Sequence, residues 1–329
     1  MSELPHCQRY SVTKTNLPPC CLRIHPNDPQ TIIIGTYKLE EDGRRHGSID
    51  QYSYINDILT LKQTVATAGA ILDIKFNPKD PTLLISVDSI GHVMSWKVDQ
   101  DIQLLNDVKV TEEEDVLITS CFFSPIDSNA LLLTFTDGTS GIFDLEEQKL
   151  KLVLSTSHEL ECWTGAFGSQ GGSHVVYTGG DDSQLISHDL RTGDKIWSNR
   201  RHHNAGVVSI LAPGEEFSAD AHSLWTGSYD DHLRVFDLRA GMPRLIQEEN
   251  LGGGVWRLIP NPTTKNQLLV CCMYDGARIV ETNENKFTVS RYFKQDHESM
   301  CYGGDWSSDN TYVATCSFYD NIVQTWSPL

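Results

Sequence analysis

Hydrophobic and polar positions alternate along the chain in short segments that favour strands over helices. One recurring segment is a short apolar run that ends at a proline, and it ends at Pro26, Pro78, Pro125, Pro213 and Pro262. A second segment follows roughly twenty residues later and consists of two apolar runs around a turn rich in Asp, Gly and Asn. Alternating apolar residues on both sides of such a turn predict a β-hairpin.

The second segment occurs seven times along the chain. Its final positions are Tyr52, Trp96, Phe143, His188, Phe236, Glu281 and Trp326. These positions are 44, 47, 45, 48, 45 and 45 residues apart. A four-stranded propeller blade takes about 40 to 45 residues plus small insertions. The sequence therefore predicts an all-β protein, a single seven-bladed β-propeller over residues 1-329.

The approximate blades are expected at residues 20-66, 67-112, 113-157, 158-202, 203-250, 251-296 and 297-329 plus 8-13. The seventh repeat has three residues after Trp326, which is too few for a fourth strand. We therefore predict that the N-terminal segment 8-13 supplies the outer strand of the last blade. Pairing of the two ends would also remove exposed sheet edges.

The units resemble WD repeats, in which a turn Asp, a strand Ser or Thr, a loop His and a strand-end Trp form a structural hydrogen-bonding set. The turn position is held by Asp182, Asp230 and Asp320. The Trp position is held instead by Phe143, His188, Phe236 and Glu281 in four of the units. We expect the three aspartates to be structural.

The net charge of −18, from 44 acidic and 26 basic residues, restricts the partners that the protein can have. Such a molecule repels nucleic acid backbones and anionic membranes, so neither is an expected partner. A cationic ligand or a basic protein surface would be attracted.

The cysteines and the N-terminal segment bear on the compartment. The nine cysteines have no C-x-x-C spacing, and most lie in apolar runs, as buried reduced cysteines do. The segment MSELPHCQRY lacks the layout of a signal peptide, and no apolar run is long enough to span a bilayer. We expect a cytoplasmic monomer.

Standard catalytic signatures are absent from the sequence: it has no G-x-S-x-G, H-E-x-x-H, P-loop or G-x-G-x-x-G motif. Polar and aromatic clusters instead precede or enter the predicted inner strands, in the runs HELECWTGAF, RHHNAGVVSI and LGGGVWRL. In a WD-type propeller these loops share one face with the loops after the second strands. We expect them to meet near Tyr37, Tyr229 and Tyr319 at one mouth of the central channel.

Several of these runs resemble a known family more closely than they resemble propellers in general. The runs HELECWTGAF, YTGGDD, RHHNAGVVSI, WTGSYDDHLRVFDLR, GGGVWRL and ATCSFYDN are similar to those of the diphthine methyl ester hydrolase family. This is the WD-repeat family of diphthamide biosynthesis, historically called diphthine methyltransferases. The similarity covers blades four to seven, and IGTYKLE resembles the first blade of the family.

The resemblance implies a methylesterase, and the sequence itself points to no cofactor and no set of metal ligands. Its substrate would be diphthine methyl ester on a histidine of translation elongation factor two, and its product would be diphthine. The substrate carries a fixed trimethylammonium group, and indole faces attract such cations by roughly 0.5 to 2 kcal/mol each. Trp163 and Trp256 are the candidates for that contact. Both could equally fill the space between blades.

Ester hydrolysis requires a nucleophile and a group that stabilises the oxyanion. With no serine motif, we expect direct attack by water, with Glu161, His158 or His203 as the general base. Arg257 would face the oxyanion, although an arginine in an apolar strand could instead pair with a carboxylate. Cys162 and Cys316 are second-ranked nucleophiles. Either histidine could also belong to the structural set of its blade.

A different function class is also compatible with the sequence. The segments HDLR (188-191) and FDLR (236-239) resemble the W-D-x-R box of WD-repeat substrate receptors for cullin ubiquitin ligases, although both lack the Trp. The alternative hypothesis is therefore a non-catalytic adaptor.

Overall fold

The computed structural model describes residues 7–113, 115–168, 174–212, 222–283 and 286–329. Within these ranges all regular elements are β-strands, and they form seven antiparallel sheets. Each sheet is built on four strands, and the first has a short additional strand. The predicted seven-bladed propeller is thereby confirmed, while Pro213, one of the predicted strand ends, lies outside the described residues.

The first strand, β1 (Arg9–Lys14), belongs to the last sheet. Blade one contains β2 (Pro19–His25), β3 (Asp28–Thr36), β4 (Lys38–Leu39), β5 (Arg45–Ile55) and β6 (Ile58–Thr67). Blade two contains β7 (Ile71–Phe76), β8 (Leu83–Asp88), β9 (His92–Val98) and β10 (Ile102–Lys109). Blade three contains β11 (Ile118–Phe123), β12 (Ala130–Phe135), β13 (Ser140–Asp144) and β14 (Lys149–Val153).

The other four blades follow in chain order. Blade four contains β15 (Cys162–Phe167), β16 (Val175–Gly180), β17 (Leu185–Asp189) and β18 (Asp194–Asn199). Blade five contains β19 (Val207–Leu211), β20 (Ser223–Ser228), β21 (His232–Asp237) and β22 (Arg244–Asn250). Blade six contains β23 (Val255–Pro260), β24 (Gln267–Cys272), β25 (Ala277–Asn283) and β26 (Lys286–Phe293). Blade seven contains β27 (Cys301–Trp306), β28 (Val313–Ser317), β29 (Ile322–Trp326) and, from the N-terminus, β1.

The ring closes where β1 pairs antiparallel with β29, from Arg9 opposite Trp326 to Lys14 opposite Ile322. The Ser327 amide also donates to the Gln8 carbonyl at 2.8 Å. Trp326 is fully buried and stacks on Phe293 of the neighbouring blade, with ring centroids 4.6 Å apart. The predicted closure by an N-terminal strand is confirmed, and it protects the last sheet edge.

The hydrophobic core consists of layers between neighbouring blades. Between blades one and two, for example, Ile33 and Ile49 pack with Ile71, Leu84 and Trp96. These side chains come from alternate positions of their strands, and the positions between them face the blade on the other side. Each sheet therefore buries both of its faces against its neighbours. The packing holds the inner strands β2, β7, β11, β15, β19, β23 and β27 around a central channel.

Every inner strand carries a one-residue bulge in its pairing with the second strand of its blade. The residues in the seven bulges, here called the bulge ring, are Cys20, Leu72, Thr119, Trp163, Val208, Trp256 and Tyr302. A bulge turns one side chain away from the regular alternation of its strand. Because all seven bulges lie at the same step of the inner strand, these residues lie at the same end of the channel, where Cys20, Trp256 and Tyr302 pack in one cluster.

Candidate functional site

Two further rings of equivalent positions accompany the bulge ring at this mouth. The rim ring follows the second strand of each blade and consists of Tyr37, Ser89, Thr136, Asp181, Tyr229, Met273 and Phe318. The entry ring lies two residues before each bulge and consists of Pro18, Ala70, Leu117, Glu161, Gly206, Gly254 and Met300. In six blades the rim residue amide donates to the entry residue carbonyl, at 2.8 to 3.1 Å. The backbone thus fixes the three rings relative to one another.

Aromatic side chains of these rings form one continuous cluster across blades four to seven and one. The Trp256 ring lies 5.9 Å from Trp163, 5.7 Å from Tyr229 and 4.7 Å from Tyr302, measured between ring centroids. Tyr302 continues the cluster to Phe318 at 5.5 Å. Edge-to-face and tilted contacts at these distances stabilise a fixed arrangement of rings.

The structure brings together the five aromatic residues predicted to bind substrate. Tyr37 lies 6.0 Å from Phe318, and Tyr319 lies 4.9 Å from it. Tyr319 is 71% exposed at the rim, whereas Trp163 and Trp256 are partly buried. Tyr302 was missed by the sequence analysis. Comparison of CYGGDW with CWTGAF, the corresponding inner strand of blade four, would have shown that Tyr302 occupies the position of Trp163.

Two carboxylates lie beside this cluster, both from blade four. Asp181 Oδ1 accepts a hydrogen bond from Trp163 Nε1 at 3.2 Å, and the Asp181 amide donates to the Glu161 carbonyl at 2.8 Å. Burial together with the negative charges of Asp181 and Glu161 raises the pKa of Tyr229. The predicted base Glu161 therefore lies at the mouth, next to a carboxylate that sequence reasoning did not select.

The predicted oxyanion group, Arg257, lies one residue beyond Trp256 in β23, with its guanidinium carbon 5.8 Å from the Trp256 ring centroid. Its Nη2 lies 3.4 Å from Asp73 Oδ1, and Lys75 Nζ lies 2.5 Å from Asp73 Oδ2. Although burial opposes ionisation, Lys75 and Arg257 hold the pKa of Asp73 below its usual value. Burial lowers the pKa of Lys75 to about 8, against the attraction of Asp73. Arg257 thus has the carboxylate partner that the alternative interpretation required.

The two candidate histidines lie inside their blades. His158 Nδ1 is 2.9 Å from Asp182 Oδ1, and His158 Nε2 is 3.0 Å from Thr178 Oγ1. His203 Nε2 is 2.8 Å from Thr226 Oγ1, and burial lowers the pKa of His203 to about 3. These contacts are those of the WD-repeat structural set, so neither imidazole enters the mechanism proposed below.

The three turn aspartates accept hydrogen bonds from backbone amides of the preceding loop. The amides of Glu159, Asn204 and Glu298 donate to Asp182, Asp230 and Asp320, each at 2.9 Å. Asp182 also binds His158, and Asp230 pairs with the buried Arg234 at 2.8 Å. In blades four, five and seven these contacts connect the hairpin turn to the loop that enters the inner strand.

The second-ranked nucleophiles, Cys162 and Cys316, are fully buried. Burial raises the pKa of both thiols, which leaves the reactive thiolate form unpopulated near neutral pH. Within the described ranges no cluster of three or more His, Cys, Asp or Glu side chains could hold a metal ion. No helix in this part of the chain is long and apolar enough to cross a membrane.

The Asp-Arg segments that suggested an adaptor form local ion pairs. Arg191 Nη2 lies 2.5 Å from Asp189 Oδ2, and Arg239 Nε lies 2.9 Å from Asp237 Oδ1. Both arginine side chains are more than half exposed on the outer part of their blades.

Stability is expected to fall as the pH drops from about 6.5 towards 4. Burial lowers the pKa of His188 to about 4, of His203 to about 3 and of His297 to about 4, from 6.5. The unfolded chain therefore binds protons in this range that the folded chain excludes. Each histidine contributes a slope of up to about 1.4 kcal/mol per pH unit, with full stability above its unfolded pKa.

Thermal unfolding midpoints measured across this pH range test the expectation. The variant His297→Gln should show a shallower fall than the wild type, because one of the three buried imidazoles is gone. A midpoint that stays constant down to about pH 4.5 would contradict the assignment of neutral buried histidines.

Comparison of the sequence with known proteins identifies the family of the chain. A diphthine methyltransferase of Saccharomyces cerevisiae is 39% identical over 392 aligned residues, which cover 99% of this chain and 100% of that protein. A diphthine methyltransferase of Schizosaccharomyces pombe is 34% identical and covers 91% of each chain. The human diphthine methyltransferase is 28% identical over 86% of this chain and 66% of its own length. No family model matches the chain.

Among solved structures, a chain in the crystal structure of the mitotic checkpoint complex superimposes with a TM-score of 0.73. It covers 99% of this chain and 93% of its own length at 14% identity, which shows the propeller fold alone. The yeast relative, by contrast, matches from end to end, which confirms the family resemblance seen in blades four to seven and extends it to the rest of the chain. The chain belongs to the diphthine methyltransferase family.

Proposed function

We propose that the protein is a methylesterase that hydrolyses diphthine methyl ester on translation elongation factor two and releases diphthine and methanol. The observation that carries the proposal is the aromatic cluster of Trp163, Trp256, Tyr229 and Tyr302 with two carboxylates beside it. Aromatic faces combined with negative charge suit a quaternary ammonium ion, which can donate no hydrogen bond. The family relationship supports the same substrate, and none of the relatives is named as a ligase adaptor.

The substrate itself restricts where the catalytic groups can lie. In diphthine methyl ester the trimethylammonium group and the ester carbonyl are attached to the same carbon. A cation held against Trp163 and Trp256 therefore places the ester within a few ångströms of both rings. Glu161 lies in the entry position of the Trp163 strand, and Arg257 follows Trp256 directly. In this proposal the two groups act on an ester that the aromatic cluster has bound.

The chemistry assigned to these groups is direct hydrolysis. Glu161 takes a proton from water as the water oxygen forms a bond to the ester carbonyl carbon. The negative charge that develops on the carbonyl oxygen faces the guanidinium of Arg257, which Asp73 holds in position. When the tetrahedral intermediate collapses, its bond to the methoxy oxygen breaks, and Glu161 returns the proton to give methanol. The carboxylic acid that remains releases its proton to solvent, so the product keeps its cation and gains a carboxylate.

The face around the cluster also suits a substrate carried on a protein. Large side chains are exposed there on three different blades: Leu160, Tyr274 and Tyr319 are each at least half exposed. They surround a site whose tryptophans are partly buried, so a modified side chain must extend into the mouth from a projecting loop. The elongation factor would then contact this exposed face.

The proposal is tested by incubating the purified chain with elongation factor two that carries diphthine methyl ester. One methanol should appear for each ester lost. When water labelled with heavy oxygen is used, the label should enter the new carboxylate, because the acyl bond is the one that breaks. Label in the methanol instead, or no methanol from a correctly folded protein, would overturn the proposed reaction.

A further inference from the structure

Blade four differs from the other six blades in charge at the channel mouth. The entry, bulge and rim rings together contain twenty-one positions, all within the described ranges. Among these positions only Glu161 and Asp181 are ionisable carboxylates, and none is a lysine, arginine or histidine. Blades two and three contribute small or uncharged residues at the corresponding positions, for example Ser89 and Thr136. Negative charge is thus concentrated at one side of the aromatic cluster.

The neighbouring residues Asp181 and Asp182 have different surroundings. Asp182 is fully buried and binds His158 within the blade. Asp181 occupies the rim position, and its carboxylate accepts the ring N–H of Trp163 at 3.2 Å. Asp182 therefore serves as the structural turn aspartate of blade four. Asp181 is not needed for that role, and its carboxylate is available at the channel mouth.

The next blade leaves room for the Asp181 carboxylate. A Cβ atom at Gly206 would lie 2.7 Å from Asp181 Oδ1 and 3.0 Å from Tyr229 Cδ2. Both distances are shorter than ordinary van der Waals contacts. The absence of a side chain at position 206 thus allows the carboxylate and the tyrosine ring to approach the same point, beside Trp163.

We propose that Asp181 is the specificity-determining residue of the cation site. Its carboxylate fixes the Trp163 indole through the ring N–H and supplies the negative charge that distinguishes a quaternary ammonium ion from a neutral group of the same shape. The identity of the cation rests on the proposed function, whereas the selectivity for charge can be measured without turnover. Glu161 then serves as the general base that activates water, and Asp181 contributes to binding of the cation.

The test compares choline with its neutral isostere, in which carbon replaces the nitrogen, by quenching of tryptophan fluorescence. The wild type should bind choline more tightly by about tenfold or more, the difference expected for a carboxylate close to a cation at a partly exposed site. Asp181→Asn keeps an oxygen for the Trp163 N–H but removes the charge. It should therefore lose most of the preference for choline while binding of the neutral isostere changes little.

Two further variants make the outcome specific. Gly206→Ala should also weaken choline binding, because the new methyl group displaces the Asp181 carboxylate. Asp137→Asn makes the same charge change in the turn after the rim residue of blade three and should leave the preference intact. The proposal is overturned if Asp181→Asn keeps the preference, or if Asp137→Asn loses as much of it. Loss of preference in Asp181→Asn alone, combined with a wild type that releases no methanol, would sustain this inference and refute the proposed function.

Discussion

Asp73→Asn is expected to lower the free energy of unfolding by about 3 to 5 kcal/mol, the cost of removing one partner from a buried ion network. Asp73 is 1% exposed and contacts both Lys75 and Arg257. Arg23 adds a third positive charge nearby, and it donates to the Gly304 carbonyl at 3.1 Å. Without Asp73, three cations converge on the channel with one fewer carboxylate to balance them.

Denaturant unfolding of the variant measures the loss directly. The double variant Asp73→Asn/Lys75→Met is the control, because it removes one charge of each sign. It should be more stable than Asp73→Asn alone, since fewer cations are left unpaired. A loss below about 1 kcal/mol for Asp73→Asn would show that the channel behaves as an exposed surface, where ion pairs contribute little.

Glu161→Gln is expected to reduce kcat for ester hydrolysis by about 10²- to 10⁴-fold, the usual contribution of a general base. KM should change little, because binding is assigned to the aromatic residues and Asp181. Glu161 is only partly buried, so the variant should unfold at nearly the wild-type temperature. Rates of methanol release over a range of substrate concentrations separate the two parameters.

Glu159→Gln provides the matched control for this experiment. Glu159 lies two residues earlier in the same loop, is 69% exposed and pairs with Arg200 at 3.1 Å. Its replacement makes the same change of charge away from the aromatic cluster and should leave kcat near the wild-type value. If Glu161→Gln retains full activity, the base is not Glu161. If Asp181→Asn then loses kcat at saturating substrate, and not only affinity, the proton is taken by Asp181 instead.

The periodicity of the sequence was sufficient to predict the fold. The final positions of the seven hairpins recur at nearly constant spacing because each blade must span the same distance from channel to surface. Closure by the N-terminal segment followed from the few residues after Trp326. Both predictions depend on local pattern and length, which are properties of the chain itself.

The candidate site was only partly predictable. Trp163 and Trp256 were selected because aromatic residues in inner strands stand out in the sequence, and Tyr229 because the loop after the second strand shares their face. In the structure Trp256 contacts both of the other rings. Asp181 was missed because the sequence does not show which of two neighbouring aspartates faces the channel. That choice depends on the bulge in β15 and on the hydrogen bonds of Asp182.

The pairing of Arg257 with Asp73 could not be identified for a different reason. The two residues lie in blades six and two, and they meet only because the closed ring brings their inner strands to the same channel. Likewise, the spacing of His158 and His203 suits both a catalytic and a structural role. The hydrogen bonds of the two rings to Thr178 and Thr226, which are the contacts of the structural role, become visible only in the folded protein.

Part of the aromatic cluster belongs to the blade that β1 completes, so the position of its rings depends on the pairing of β1. Tyr302 and Phe318 belong to blade seven, which β1 completes, and Phe318 contacts Tyr37 of blade one. Trp256 packs on Tyr302 with ring centroids 4.7 Å apart, so a ligand held against Trp256 contacts a cluster that blade six shares with the blade completed by β1. By thermodynamic reciprocity, such a ligand must strengthen the attachment of β1 by the same factor by which detachment of β1 weakens the ligand.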